Sequence, residues 1–222
     1  MTPDIDEALR YLGVGEHPPE SLRRQAETIA AELAGAVQPR WVYAVLDLER
    51  EGDAPRLPAL NLTLAGQSAR MMLEDCGQAA LLACTIGAEF DRCLRAMQRR
   101  DMARAVLLDA CGSALVERGC DAAERELAAR LPGVYLTDRF SPGYGDLPLD
   151  IQPDICAALD TPRRLGLHVT ERLLLNPMKS VTAVIGLSDR PQRARIRGCA
   201  FCAMRENCQL RKRGERCGTQ AV

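Results

Sequence analysis

A long, uninterrupted helical pattern is the feature that most constrains how this chain can fold. In residues 101–131, Val106, Ala110 and Ala114 share a broad apolar face, and Asp101 stands where a helix N-cap is expected. The pattern predicts a helix that forms the spine of the domain. The glycines inside it lower its helix propensity, and small residues at such positions favour close packing or a kink.

Shorter elements of both kinds surround this spine. Further helices are predicted at residues 20–37, 67–75, 88–99 and 151–160. Strands are predicted at residues 40–48, 60–64, 79–86, 134–137, 165–170 and 180–187. The last of these strands carries apolar residues on both faces, which indicates burial between two layers. The mixture predicts one α+β domain.

Composition narrows the class of protein. The chain has 222 residues, 47% of them hydrophobic, and a net charge of −1, which suits a globular domain with a small appendage. Residues 1–10 contain three acidic residues and no apolar segment, and no run is long enough to span a bilayer. We therefore expect a cytoplasmic protein without a membrane partner. In that compartment, the six cysteines before residue 199 are expected to be small buried residues rather than disulfides.

Four cysteines near the end of the chain follow the spacing C-x2-C-x5-C-x8-C. They are Cys199, Cys202, Cys208 and Cys217. Four thiolates in so short a segment suit an iron-sulfur cluster, which tolerates irregular spacing, or a tetrahedral zinc ion. The remaining alternative is a set of free thiols, or a disulfide pair, on a terminal segment. The spacing therefore predicts a metal site without naming its metal.

The same segment is strongly basic. Residues 190–217 hold nine Lys or Arg against two Glu, a net charge of +7, which leaves −8 for the rest of the chain. Such a patch can attract an acidic protein, for example an electron donor, or a nucleic acid. The scarcity of aromatic residues nearby disfavours nucleic acid. A solvated terminus whose charges only aid solubility is the plain alternative.

A loop that follows the predicted strand at 134–137 has the composition of a ligand-binding turn. Arg139 can grip a carboxylate with two parallel hydrogen bonds. Pro142 and Gly143 favour a tight turn whose backbone can approach a ligand, and Tyr144 adds a ring and a hydroxyl. These groups suit a ligand that resembles an amino acid, although a surface turn with an arginine salt bridge has the same composition.

The pattern Arg139-x-x-x-Gly143-Tyr144, followed by residues 165–171 and 179–186, resembles the activation domain of cobalamin-dependent methionine synthase in a free-standing bacterial form. Residues 83–87 and 109–117 are similar to that family as well, and the resemblance covers roughly residues 40–190. It implies a single α+β domain with a mainly antiparallel sheet packed by helices. The division that follows is an N-terminal helical segment at 1–39, the activation-like domain at 40–190, and a basic four-cysteine tail at 191–222.

The resemblance also implies a function and a set of ligand contacts. In the family this loop binds S-adenosylmethionine, which methylates the corrinoid during reductive reactivation of oxidised cobalamin. The implied contacts here are Arg139, Ser141, Pro142, Gly143 and Tyr144. The protein would bind and position, while cofactor and ligand supply the chemistry.

A separate chain must supply the corrinoid. The sequence has two histidines and no D-x-H-x-x-G segment, the cobalamin-binding motif of the full-length enzymes. The expected partner is therefore a cobalamin-binding methyltransferase chain, with an electron-donor protein as a further partner. On this reading the chain contributes to methionine synthase activity without being a complete enzyme. The competing reading is a metal-binding electron-transfer or interaction module that has kept the fold without binding S-adenosylmethionine.

Overall fold

The computed structural model describes residues 1–14 and 17–192, together with the single residues 206 and 212. The helices are α1 (Ile5–Tyr11), α2 (Glu20–Ala36), α3 (Gln67–Met72), α4 (Ala88–Gln98), α5 (Met102–Arg130), α6 (Gln152–Ala158) and α7 (Thr161–Leu165). The strands are β1 (Arg40–Asp47), β2 (Glu49–Glu51), β3 (Ala54–Leu57), β4 (Leu62–Thr63), β5 (Gln78–Thr85), β6 (Tyr135–Leu136), β7 (His168–Val169), β8 (Leu175–Asn176) and β9 (Ser180–Ser188). Within the described part of the chain, no helix combines the length and apolar character needed to cross a bilayer.

The main sheet has the strand order β1-β5-β9-β6, and each neighbouring pair is antiparallel. Leu81 of β5 is paired with Ala44 of β1 on one side and with Val184 of β9 on the other. β9, the last strand along the described chain, therefore lies inside the sheet. Two small sheets, β2-β3-β4 and β7-β8, complete the strands.

The main sheet separates two hydrophobic cores because successive side chains of a strand point to opposite faces. Ala80 and Leu82 are buried on one face with residues of α1, α2, α4 and α5. Leu81 and Ala83 are buried on the other face with residues of α3, α6 and α7. The predicted α+β architecture, with an antiparallel sheet packed by helices, is confirmed.

The predicted spine helix is α5, and it packs closely at its glycines. The Asp101 carboxylate accepts a hydrogen bond from the Arg104 amide at 3.0 Å, which confirms the predicted N-cap. Gly112 lies so near α4 that an added Cβ would be 2.3 Å from the Phe90 ring. Close approach is thus the reason for this glycine inside a helix. Val106, predicted on the apolar face, is 48% exposed.

The strand prediction that departs most from the structure is the one at residues 165–170. Residues 165–170 were predicted as a strand, but Thr161–Leu165 forms α7 and only His168–Val169 is extended. Pro162 in the first turn favours a helix there, because the nitrogen of proline has no hydrogen to leave unpaired. Gly166, with φ +67°, ends the helix in the left-handed conformation that glycine adopts at little cost.

Candidate functional site

Arg139 leaves the sheet just after β6 and lies against α5. Its side chain is only 10% exposed, and its guanidinium contacts three carboxylates of that helix, those of Glu117, Asp121 and Glu124. The distance from Arg139 Nη1 to Asp121 Oδ1 is 2.8 Å. Because 117, 121 and 124 are spaced four and three residues apart, the three acids share one face of α5. We call these four side chains the arginine cluster.

The arginine cluster carries more negative than positive charge. Burial alone would lower the pKa of Arg139, but the carboxylates of Glu124 and Glu117 outweigh it and raise that pKa above its usual range. One guanidinium against three carboxylates gives the four side chains a net charge of −2. The cluster can therefore attract a further cation.

The loop after Arg139 is a tight turn held by its own backbone. Tyr144 donates its amide hydrogen to the Ser141 carbonyl at 3.0 Å, and Gly143 donates to the Leu147 carbonyl at 2.9 Å. Gly143 has φ +83°, a conformation that costs little only for glycine. Leu147 is buried and anchors the turn, whereas the Tyr144 side chain is 76% exposed. The loop thus presents a ring to solvent from a fixed backbone.

Asp146 fastens the far side of this loop to α3. Its carboxylate accepts hydrogen bonds from the amides of Gln67 at 2.5 Å and Ser68 at 3.0 Å. Hydrogen bonds from the Ser68 side chain, then from these amides, lower the pKa of Asp146. An added Cβ at Gly66 would lie 2.6 Å from the Asp146 carbonyl oxygen, so loop and helix are in close contact. The loop is therefore held at α5 by Arg139 and at α3 by Asp146.

The negative charge extends from the arginine cluster onto α1. Burial raises the pKa of the Glu7 carboxyl and the nearby Glu117 carboxylate raises it further, partly offset by the Tyr11 hydroxyl. That hydroxyl donates to Glu7 Oε1 at 2.9 Å. The positive charge of Arg10 lowers the same pKa, so a cation already lies beside the Glu7 carboxyl.

A cavity of about 230 Å³ lies between the end of α1, the end of α4 and the N-terminal half of α5. Tyr11 and Val106 contribute its apolar wall, and Asp109 and Ser113 contribute polar groups. Lys179 Nζ lies 3.0 Å from Asp109 Oδ1 and donates to the Ser113 hydroxyl at 2.8 Å. The cavity thus offers an apolar surface with polar groups at its edge, but its volume is below the range of about 300–1,000 Å³ that is usual for small-molecule sites.

No protein-family model matches the chain, and no curated protein matches it either. A solved structure does: the crystal structure of the MetH reactivation domain bound to AdoHcy. The match covers 89% of this chain and 73% of that one, with 15% sequence identity and a TM-score of 0.62. This chain has the fold of the MetH reactivation domain.

The reactivation-domain fold brings the predicted loop residues into one turn, but in different environments. Pro142 is buried, Ser141 is half-buried and Gly143 is exposed. The guanidinium of Arg139 is engaged by α5, whereas Tyr144 is the most accessible side chain of the turn. Their assignment as ligand contacts stays a prediction.

Asp121 and Glu124 are not among the site residues that the sequence predicts. Acids in a polar, solvent-facing helical segment ordinarily have only a solvated role. The signal was present in their spacing from Glu117, since acids four and seven residues apart share one face. Glu7 had no comparable signal, because its distance from Glu117 depends on how α1 packs.

The predicted metal ligands Cys199, Cys202, Cys208 and Cys217 lie outside the described residues. Within residues 1–14 and 17–192, no group of three or more His, Cys, Asp or Glu is arranged to hold a metal ion. The six cysteines of this part form no disulfide, and all but Cys93 are buried, as the sequence predicted. The metal site stays a prediction of the spacing.

Proposed function

We propose that this chain is an accessory protein that binds S-adenosylmethionine and supports reductive methylation of the cobalamin held by a separate methionine synthase or related corrinoid methyltransferase. The observation that carries the proposal is the placement of the loop with Arg139, Gly143 and Tyr144. It leaves the sheet beside α5, in the fold of a domain that was solved with AdoHcy bound.

The charges and shapes of the site suit the ligand. S-adenosylmethionine has a carboxylate, an ammonium group and a sulfonium, so its net charge is positive. The cationic groups would lie near the arginine cluster, where negative charge is in excess, and the carboxylate would have to compete with the acids of α5 for the Arg139 guanidinium. The adenine would stack on the exposed Tyr144 ring.

Binding and orientation are the chain's whole contribution to the reaction. The cobalamin of the partner chain and the sulfonium of the ligand would supply the methyl transfer, and no general acid or base is needed from this chain. Arg139, held by three carboxylates, and Gly143, fixed by its turn, would keep the ligand's methyl group at a defined position.

Calorimetric titration with S-adenosylmethionine and S-adenosylhomocysteine tests the proposal. Tyr144→Ala should weaken binding by roughly tenfold, the scale of one base–aromatic stacking contact. The fold should not change, because this ring is mostly in solvent. His168→Ala, which removes another exposed ring from β7, is the matched control and should bind as wild type does. Equal affinities for both variants would exclude Tyr144 as a contact, and no binding by the wild type would refute the proposal.

Arg139 needs a gentler change than alanine. Arg139→Ala would leave Glu117, Asp121 and Glu124 without their cation, so a loss of affinity would be mixed with a loss of stability. Arg139→Lys keeps the positive charge but removes the planar guanidinium, which can bind a carboxylate with two parallel hydrogen bonds. A selective loss of affinity, with an unchanged midpoint of urea unfolding, would assign Arg139 to the ligand.

The second candidate function is that of a metal-binding electron-transfer or interaction module, which the four tail cysteines favour. Anaerobic purification followed by metal analysis and an absorption spectrum tests it. Cys202→Ser should abolish bound metal and any visible absorption band, whereas Cys93→Ser, a partly exposed thiol of α4, should change neither. A colourless wild type with stoichiometric zinc would exclude electron transfer, and a protein without metal would exclude the module.

A further inference from the structure

A groove runs between the C-terminal half of α5 and strand β6. Its volume is about 460 Å³, and its apolar lining comes from Ala128, Val134 and Leu136. Asp121 and Glu124 of the arginine cluster line the same groove. The groove therefore combines an apolar floor with an acidic edge, and this composition suits a segment that carries both arginine and apolar side chains.

The groove keeps its negative character when its own cations are counted. The charged residues that line the groove are Asp121, Glu124 and Arg125, and their net charge is −1. Asp121 is 49% exposed at its side chain, so it can accept a second cation without displacing Arg139. A basic segment could therefore reach the Asp121 carboxylate and pair with the negative charge of the groove.

The described chain stops beside this groove. Ser188, the last residue of β9, is paired with Tyr135 of β6, which lines the groove. Ser188 Oγ accepts hydrogen bonds from the Arg190 amide at 3.1 Å and from Gln192 Nε2 at 3.0 Å, so residue 192 is still next to Ser188. Gln192 Oε1 is buried, and within the described residues it has no hydrogen-bond donor. A donor from the following segment would satisfy it.

The sequence after residue 192 has the complementary charge. Residues 193–222 contain eight Lys or Arg against two Glu, a net charge of +6. The segment begins with Arg193, Arg195 and Arg197, which alternate with Ala194 and Ile196. In an extended chain such alternation puts the arginines on one side and the apolar residues on the other. This matches a groove with an acidic edge and an apolar floor.

We propose that residues 193–197 bind in this groove, with their arginines on the acids of α5 and Ile196 on the apolar floor. The proposal does not depend on whether the loop at 139–144 binds S-adenosylmethionine. For function, the consequence concerns the position of the four-cysteine segment. Cys199 follows Arg197 by two residues, so docking would hold the start of the four-cysteine segment beside the arginine cluster.

Amide hydrogen exchange on the full-length protein tests the docking. Changing Arg193, Arg195 and Arg197 together to Glu should speed exchange in peptides that cover residues 121–136 by roughly tenfold, because the groove loses its cover. The matched control changes Arg211, Arg213 and Arg216 to Glu, which reverses the same charge farther along the segment. It should leave those peptides as in wild type. Neither triple change touches the described fold.

Swapping the charges between the groove and the segment is the decisive experiment. Asp121→Arg alone should speed exchange in the same peptides, and combining it with the first triple change should restore slow exchange, because the two charges are then swapped. Unchanged exchange in the first triple variant would overturn the proposal. So would equal effects of the two triple changes, or protection that increases with protein concentration, which would assign the groove to a second copy of the chain.

Discussion

Asp146 shows how one residue can position a whole loop. Its carboxylate is the link between the turn at 141–147 and the amides that begin α3. An aspartate in this place also complements the positive end of the helix. The exposed Tyr144 ring belongs to the same turn, so the geometry of the candidate ligand site depends on a contact made by a residue that need not touch the ligand.

Asp146→Asn should destabilise the protein in a way that depends on pH. Because the pKa of Asp146 is lowered in the folded state, its stabilising effect is present above its unfolded pKa of about 4 and is lost as the pH falls through the folded value. Urea unfolding should show a difference between wild type and variant at neutral pH that shrinks below about pH 4. Asp53→Asn, at an exposed carboxylate, should show no such trend. A constant difference at every pH would mean that the charge of Asp146 has no part in docking the loop.

At the residue level the turn at 141–147 could be predicted from the sequence, but the contacts that hold Arg139 against α5 could not. The turn could be predicted because Pro142, Gly143 and Tyr144 are consecutive and have known backbone preferences. The contacts of Arg139 with Asp121 and Glu124 join residues on different elements, so they follow only from how β6 lies against α5. Local chemistry predicts a turn, whereas burial of its charged neighbour is a property of the packing.

The contact between α4 and α5 is the tightest point of the helical layer. Gly112→Ala should lower the free energy of unfolding by about 1–3 kcal/mol, the usual cost of overpacking, because the new Cβ would overlap the buried Phe90 ring. Gly35→Ala is the matched control, since nothing lies within 4 Å of its Cβ position in α2. It should be neutral or stabilising by up to about 1 kcal/mol. Urea unfolding of both variants would show the contrast, and destabilisation of equal size would contradict it.

The long elements could be predicted from sequence more completely than the short ones. β1, β5 and β9 have almost the predicted bounds because their apolar and β-branched runs are long enough to show a pattern. Among the short elements, α3, α6 and β6 were predicted to within a few residues, whereas α1 (Ile5–Tyr11) and the hairpin β2-β3 were not, because so few residues establish a period only weakly. The shape of such segments is decided by the surfaces they cover.

The buried thiols affect the stability of the whole molecule at alkaline pH. Burial raises the pKa of Cys111 from an ordinary value of 9.0 to about 11. Between the unfolded and the folded pKa, the thiol ionises only in the unfolded chain, and this ionisation favours unfolding. The stability that is fully present below the unfolded pKa is therefore lost as the pH rises through the folded value. The free energy of unfolding should therefore fall between about pH 9 and 11. Cys111→Ala should make that fall shallower, and Cys93→Ala, at a partly exposed position, should not. An unchanged slope in Cys111→Ala would assign the alkaline loss to other groups.

Composition and pattern predicted the class of the whole molecule, but not how its layers share a core. The α+β architecture followed from alternating elements and from the resemblance, and the structural match agrees with it. The sequence predicts a helix at residues 20–37, but the apolar stripe of such a helix does not indicate which surface it covers. In the fold, α1 and α2 complete the same core that α5 forms with the sheet.

The position of β9 has a consequence for how the protein is made. A ribosome releases β1 and β5 early, but the strand that belongs between β5 and β6 is the last one synthesised in the described chain. Until residue 188 has emerged, the nascent polypeptide holds β5 with one neighbour missing and β6 with its partner missing. The main sheet cannot be completed during translation until β9 has been synthesised. This delay slows folding and prolongs the exposure of an unpaired strand edge, which is prone to aggregation. This chain should therefore need chaperone protection most in the interval between completion of α5 and release of β9.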